Sequence, residues 1–201
     1  GYSAVPYWYR GKALAVPDAV VSVTALPTGP ERTNPTSLVY RWILDGEIQP
    51  QSSGLGKRTF IFRTSFVENQ VHIAEVRAET FGGALVGMAR AIISTQRPEV
   101  RIYSLNPLSG VTFNRSLTSF ENVSGDIYDF VAEPFFFPKG AAINYKWQFN
   151  GAEVLGTFAK PWLFTLRSNP GEESQSVIDV QVTSPDNILH RAASILRANL
   201  R

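Results

Sequence analysis

The sequence repeats itself, and the repeat limits the fold more than any other feature. Tyr40-Arg41-Trp42-Ile43-Leu44-Asp45-Gly46 returns as Tyr145-Lys146-Trp147-Gln148-Phe149-Asn150-Gly151, 105 positions later. Upstream, the run from Val20 to Pro27 corresponds to Ile127–Pro134 at an offset of 107. Downstream, Phe60-Ile61-Phe62-Arg63 parallels Phe164-Thr165-Leu166-Arg167 at 104. An alternating run follows in each copy, Ala74, Val76, Ala78 and then Ile178, Val180, Val182, before a turn and a last apolar run. Those last runs are Leu85 to Ser94 and Leu189 to Ala198. Five segments recur in one order with little drift, the signature of a duplicated structural unit. The polar stretch Thr95-Gln96-Arg97 meets Pro98 at the boundary, so the expected domains are residues 1–97 and 98–201.

Each copy has the pattern of six to eight short strands with turn signals between them, which is that of a β-sandwich. Asp45-Gly46 and Asn150-Gly151 are two-residue type I′ hairpin signals, because both positions of that turn have positive φ. Trp42 and Trp147 then lie on central strands facing the core, with Tyr40 and Tyr145 two residues earlier on the same face. The final run Ile188, Leu189, Ala192, Ala193, Leu196, Leu200 also fits a helical face. A sandwich requires a closing strand there, and strand is the expectation. The connection at Gln96-Arg97-Pro98 is short, and Pro98 biases Arg97 toward extended backbone. The expected fold class is therefore all-β, two tandem sandwiches arranged end to end with a narrow range of interdomain angles.

Tyr-x-Trp-x-x-Asp/Asn-Gly followed by two alternating strands resembles the immunoglobulin-like and PKD-like modules of bacterial envelope proteins. A closer likeness spans nearly the whole chain. Tyr9-Arg10-Gly11-Lys12-Ala13-Leu14 with Val23, Ala25, Leu26 and Pro27 resembles the first module of uncharacterised PKD-like tandem proteins of ultrasmall candidate-phyla bacteria. Pro98–Tyr103, Asn106-Pro107-Leu108, Gly110 and Ala132–Phe137 resemble their second. The resemblance implies an exported outer-surface protein, membrane-attached through segments outside this sequence and associated with pilus genes. It brings no catalytic residues.

Composition narrows the chemistry. There is no Cys, so disulfides and thiolate metal sites are excluded. The net charge is +2, with basic residues scattered singly; the densest group is His190-Arg191, Arg197 and Arg201. A nucleic-acid reader gathers its charge into a stripe, so no nucleic-acid partner is expected. No stretch reaches the roughly 18 apolar residues that would span a bilayer. Gly1-Tyr2-Ser3 opens without the charged and apolar regions of a signal peptide.

No constellation of an enzyme is expected. His72 and His190 are the two histidines, about a domain apart in sequence, and a lone strand His without a partner is seldom a general base. Gly54-Leu55-Gly56-Lys57-Arg58-Thr59 imitates the end of a phosphate loop. However, Gln51 and Arg58 stand where that motif has Gly and Ser/Thr, and a flexible turn is the expectation. The acidic groups Asp126, Asp129, Glu133 and Asp45, Glu47 do not have the spacing that supplies the six to eight oxygens of Ca²⁺. No metal and no cofactor are expected. Lys146 and Asn199 are the one pair in elements suited to an isopeptide bond, and the unmodified mass is expected.

Two aromatic clusters remain. Tyr2, Tyr7, Trp8 and Tyr9 crowd the start of the chain, and Phe135-Phe136-Phe137 precede a Pro-Lys-Gly turn. Three consecutive Phe cannot all point inward from a strand, so at least one packs elsewhere. Tyr7, Trp8, Tyr9, Phe135, Phe136 and Phe137 are the candidate partner-binding residues, against packing at a module interface or a sandwich end. The function expected is a non-enzymatic cell-surface spacer or adhesive module contacting protein or glycan. The alternative is a carbohydrate-binding tandem appended to an enzyme.

Overall fold

The computed structural model describes residues 3–28, 34–121, 127–154, 159–168 and 174–200. Its strands begin with β1 (Ser3–Ala4), β2 (Val20–Thr24), β3 (Val39–Leu44), β4 (Glu47–Ile48), β5 (Gly54–Leu55) and β6 (Thr59–Arg63). Next come β7 (Val71–Glu79), β8 (Leu85–Ser94), β9 (Glu99–Asn106), β10 (Gly110–Val111), β11 (Ser119–Glu121) and β12 (Ile127–Phe135). The series ends with β13 (Phe137–Pro138), β14 (Asn144–Phe149), β15 (Ala152–Val154), β16 (Leu163–Arg167), β17 (Ser174–Ser184) and β18 (Asn187–Leu200). The chain divides into two compact units. One holds residues 12–96 with residues 1–3, and the other holds residues 97–201 with residues 4–11. Residues 4–11, which sequence order assigns to the first domain, thus belong with the second unit.

In the first unit β2 pairs with β6, and the opposing sheet runs β4-β3-β7-β8 with β5 also on β3. In the second the sheets are β10-β9-β12-β16 and β11-β18-β17-β14-β15. The repeated segments occupy equivalent strands: β2 and β12, β3 and β14, β6 and β16, β7 and β17, β8 and β18. Registers repeat as well. Trp42 lies opposite Val76 and Trp147 opposite Val180, while Val23 faces Phe60 and Phe130 faces Phe164. In immunoglobulin lettering β2 and β12 are strand B, β3 and β14 strand C, β4 and β15 strand C′, β6 and β16 strand E, β7 and β17 strand F, and β8 and β18 strand G, with β9 as strand A of the second unit. This is the immunoglobulin-like arrangement, with the core tryptophan on strand C. β11 runs parallel to β18, and the first unit keeps a single parallel bridge, Ala15 to Thr95. The last run is a strand, as expected, 14 residues long.

The two units differ at their first strand. β9 pairs with β12 over seven residues, Asp129 to Phe135. Among the described residues, no strand pairs with the equivalent edge of β2.

Alternation places one face of each strand inside. Tyr40, Trp42, Phe60, Phe62, Ala74, Val76 and Ala78 form the first core; Ile102, Phe130, Trp147, Phe164, Ile178, Val180, Val182 and Leu196 belong to the second. Each tryptophan stacks on the phenylalanine of strand E, Trp42 on Phe60 at 5.5 Å and Trp147 against Phe164 at 5.2 Å. A buried indole N–H requires an acceptor. Trp42 Nε1 donates to the Lys57 carbonyl at 2.8 Å and Trp147 Nε1 to the Pro161 carbonyl at 2.9 Å, equivalent positions in the repeat. Burial, with the charge of Glu133 adding to it, pushes the Tyr145 hydroxyl up to about 12.

The hairpins after the tryptophans have the expected geometry. Asp45 and Gly46 have φ of 52° and 88°, and Asn150 and Gly151 have 48° and 81°. Their side chains do more than tolerate the turn. Asp45 Oδ1 accepts the Ile73 N–H at 2.7 Å and Asn150 Oδ1 accepts the Val177 N–H at 2.8 Å, tying each turn to strand F. The segment from Gly54 to Thr59 is more tied down than a flexible turn. Gly54 and Leu55 pair with Tyr40 and Val39, and the Gly56 N–H donates to the Leu38 carbonyl at 2.8 Å.

Replacing Trp42 or Trp147 by Ala is expected to cost about 3–5 kcal/mol, since each change leaves a large cavity. Phe at the same positions keeps most of the packing but loses the hydrogen bond to a part-buried carbonyl, at about 0.5–1.5 kcal/mol. Urea unfolding monitored by far-UV circular dichroism checks both, and unchanged midpoints for the Ala variants would refute the core assignment.

Candidate functional site

The two aromatic runs that stand far apart in sequence form one cluster on the outer face of the second unit. β9 alternates, sending Val100 and Ile102 into the core and Arg101 and Tyr103 outward. β12 likewise turns Val131, Glu133 and Phe135 outward. Residues 4–11 cross this face. Trp8 stacks on Phe113 at 4.3 Å and meets the edges of Tyr103 at 5.5 Å and Phe135 at 5.7 Å. Tyr9 packs edge-on against Phe135 at 5.5 Å and Phe136 at 5.9 Å. The outward-facing Tyr103, Val131, Phe135 and Phe136 are consequently buried.

The Phe run achieves this with one unusual residue. β12 ends at Phe135, Phe136 adopts a left-handed φ of 64°, and β13 begins at Phe137. The kink resets the alternation, so Phe135 and Phe136 both stay in the outer cluster while Phe137 turns into the sandwich core. A bulky side chain in this region costs on the order of 1–3 kcal/mol. The surroundings hold it there: the Phe136 N–H donates to the Ala4 carbonyl at 2.8 Å, and two aromatic rings pack on its side chain. Gly11 serves the same cluster. The Tyr9 ring lies so close over its α-carbon that any β-carbon there would collide with it.

The electrostatics of the cluster follow its burial. Arg101 donates to Glu99 at 2.9 Å, and its guanidinium sits over the Phe135 ring, 5.3 Å from the centroid. Burial lifts the Glu133 carboxyl above the ordinary carboxylate value. Burial also raises the Tyr103 hydroxyl, with Arg101 acting in the opposite sense. The Trp8 indole N–H is buried and has no hydrogen-bond partner among the described residues. That separates it from Trp42 and Trp147. Of the six candidate residues, Trp8, Tyr9, Phe135 and Phe136 come together, Phe137 joins the core, and Tyr7 stands 94% exposed.

His72 acquires a partner that sequence distance conceals. It is buried in the first unit, with Nδ1 2.8 Å from Asp45 Oδ2 and Nε2 accepting the Ser65 N–H at 3.3 Å. Both ring nitrogens are therefore engaged, Nδ1 with Asp45 of the turn between β3 and β4 and Nε2 with the chain just after β6. Partial burial pushes the Asp45 carboxyl up, but the Ile73 N–H and His72 outweigh it and leave the group below its usual 3.8. Asp129 accepts from Thr165 Oγ1 at 2.6 Å across strands B and E. Lys146 pairs with Glu153 at 2.7 Å, and β17 lies between its strand and that of Asn199. Tyr2, Asp126 and Arg201 lie outside the described residues.

Sequence reasoning missed two exposed apolar residues at the F–G ends of the units. Phe81, in the turn between β7 and β8, is 87% exposed, and Ile188, the second residue of β18, is 81% exposed. The available signal was an aromatic residue set beside a Gly-Gly turn, where it has nothing to pack against.

No family model and no curated protein matches the sequence. Among solved structures, the fibronectin(III)-like modules of Clostridium thermocellum CbhA are 10% identical with a TM-score of 0.33, covering 94% of this chain and 90% of that one. The ectodomain of mouse nectin-like molecule 4 is 13% identical with a TM-score of 0.36, covering 93% and 61%. A Bacteroides ovatus glucan-utilization protein, SGBP-B in complex with a mixed-linkage heptasaccharide, is 13% identical with a TM-score of 0.28, covering 97% and 45%. Likenesses this distant bear on neither ligand nor partner.

Two predictions follow from the geometry. Trp8→Ala is expected to destabilise the second unit by about 2–4 kcal/mol. Trp8→Phe, which keeps a ring and removes the unpartnered donor, is expected to change stability by less than about 0.5 kcal/mol or to raise it. The same change at Trp42 or Trp147 is destabilising, and calorimetry of the three Phe variants distinguishes the cases. The second prediction concerns acid. Asp45 is stabilising when ionised, so its contribution is complete above the ordinary carboxylate pKa and is lost as pH falls through the lower value it has in the fold. Asp45→Asn, which copies Asn150, is expected to flatten the acid limb of the first unit's stability curve, measured by thermal unfolding from neutral to strongly acid pH.

Proposed function

We propose that this chain is a non-enzymatic binding or spacer module of an exported, cell-envelope protein, attached to a membrane through segments outside this sequence. The observation that carries the binding half is the exposure of a large apolar side chain at the F–G end of each unit, Phe81 in the turn between β7 and β8 and Ile188 at the start of β18. Side chains this exposed contribute little to packing in their own unit. Burying one in a complex is worth about 1.5–3 kcal/mol. The polar groups that carry chemistry elsewhere are engaged in the framework here: His72 and Asp45 hold a turn, Asp129 bridges two strands, and Lys146 pairs with Glu153. A sandwich of this kind serves as a rigid carrier of its loops.

Binding of fluorescently labelled protein to intact envelope fragments and to a glycan array tests this reading. The Phe81→Ser, Ile188→Ser double variant is expected to lose binding about tenfold or more while keeping the wild-type melting temperature. Undiminished binding by that variant would overturn the assignment to the F–G ends. A glycan signal abolished by Tyr7→Ala would favour the carbohydrate-binding reading instead, because Tyr7 is, among the described residues of the N-terminal aromatic group, the one that stands free of the cluster.

A further inference from the structure

The internal repeat offers a direct comparison of one architecture in which, among the described residues, the second unit pairs a first strand with strand B and the first unit does not. In the second unit β9 lies antiparallel to β12 and turns Val100 and Ile102 into the core, where both are buried. The strand also seals its neighbours on β12: Phe130 and Ala132 are 0% and 1% exposed. In the first unit their counterparts Val23 and Ala25 are only partly buried, and a cleft of about 260 Å³ opens beside Ala25. One wall of the cleft is Ala25 to Thr28, the other is Val86 to Ala89 of β8, and Tyr40, Val76 and Ala78 form its floor. The small side chains at Ala78, Gly87 and Ala89 leave the space that an inserted side chain occupies.

The edge itself is ready to pair. Ala25 donates its N–H to Arg58 on the β6 side, and Ala19 accepts from Thr64 there, so the odd-numbered residues face β6. The backbone groups of Ser22, Thr24 and Leu26 therefore point to the open side. Their counterparts Asp129, Val131 and Glu133 are positions where β12 pairs with β9. Pro27 presents no obstacle, since its counterpart Pro134 lies within the same pairing, opposite Val100. Exposed sheet edges are ordinarily protected by charge. Residues 20–28 of this edge, Val-Val-Ser-Val-Thr-Ala-Leu-Pro-Thr, contain none.

We propose that the first unit is a strand-addition site, which takes an extended segment of another polypeptide antiparallel to β2. The segment carries aliphatic side chains at two alternating positions, and these enter the cleft opposite Ala25 and Pro27, as Ile102 and Val100 do opposite Ala132 and Pro134. Main-chain hydrogen bonds supply affinity in such additions and the alternating pockets supply selectivity. Neither Phe81 nor Ile188 lines this cleft, so either assignment can fail alone.

The test uses the full chain and a synthetic peptide with the sequence of residues 98–107 as a surrogate strand, followed by fluorescence anisotropy and by amide NMR shifts. Saturable binding is expected, with shifts at Ser22, Thr24, Leu26 and β8. A peptide with Ser in place of both Val100 and Ile102 is expected to bind at least about tenfold more weakly. Ser22→Pro removes one edge N–H without touching the β2–β6 bonds. It is expected to weaken the peptide about tenfold or more at an unchanged melting temperature. Should Ser22→Pro unfold the chain, the Gly87→Leu variant, which fills the cleft from β8, replaces it. No saturable binding, or shifts confined to the second unit through exchange with β9, would overturn the proposal. Dimers of the wild-type chain that Ser22→Pro disperses would overturn it in favour of a second copy as the occupant.

Discussion

A single hydrogen bond across the sandwich sets the position of the two sheets in each unit. The buried tryptophan of strand C donates its indole N–H to a main-chain carbonyl just before strand E. Losing the bond leaves a buried N–H without an acceptor, so the carbonyl has to arrive at that point whatever path the chain takes to it. The paths do differ. Fifteen residues separate Trp42 from Lys57, and fourteen separate Trp147 from Pro161. The first unit uses the interval for a short 3-10 turn at Pro50–Ser52 and the β5 pairing. The registers on either side are nevertheless the same in both copies.

Around that shared frame the units are finished differently. The first secures its C–C′ turn with an aspartate that also holds a buried histidine. The second uses Asn150, and Ser176 stands where the first has His72. The second also closes its outer sheet with its own first strand and covers that strand's outer face with aromatic rings. Duplication supplied one framework, and the later divergence lies in the parts that the framework does not need.

Much of this was legible in the sequence because repetition and alternation are local signals. The offsets of 104 to 107 residues located equivalent strands, the Asp-Gly and Asn-Gly pairs located turns, and alternation placed both tryptophans inside. What was not legible depends on contacts between distant residues. Trp8 and Phe135 are two unremarkable aromatic residues until the fold stacks them, and no periodicity links positions so far apart. His72 has no visible partner because Asp45 lies 27 residues away across a turn. The open edge of β2 was hidden for a different reason. The matching of copies starts at Val20 and Ile127, and the strand before Ile127 has no counterpart to match.

The lodging of residues 4–11 on the second unit reverses the usual order of assembly. These residues leave the ribosome before the rest of both units, yet Tyr103, Phe113 and Phe135, on which they pack, are made only after the first sandwich. Domains generally fold as they emerge. The segment must therefore remain unoccupied while residues 12–96 fold behind it, and joining it to the aromatic face is a late, long-range closure. Until then Trp8 and Tyr9 are exposed apolar side chains on a growing chain. The interval between the two events is when this protein is most open to premature association with other chains.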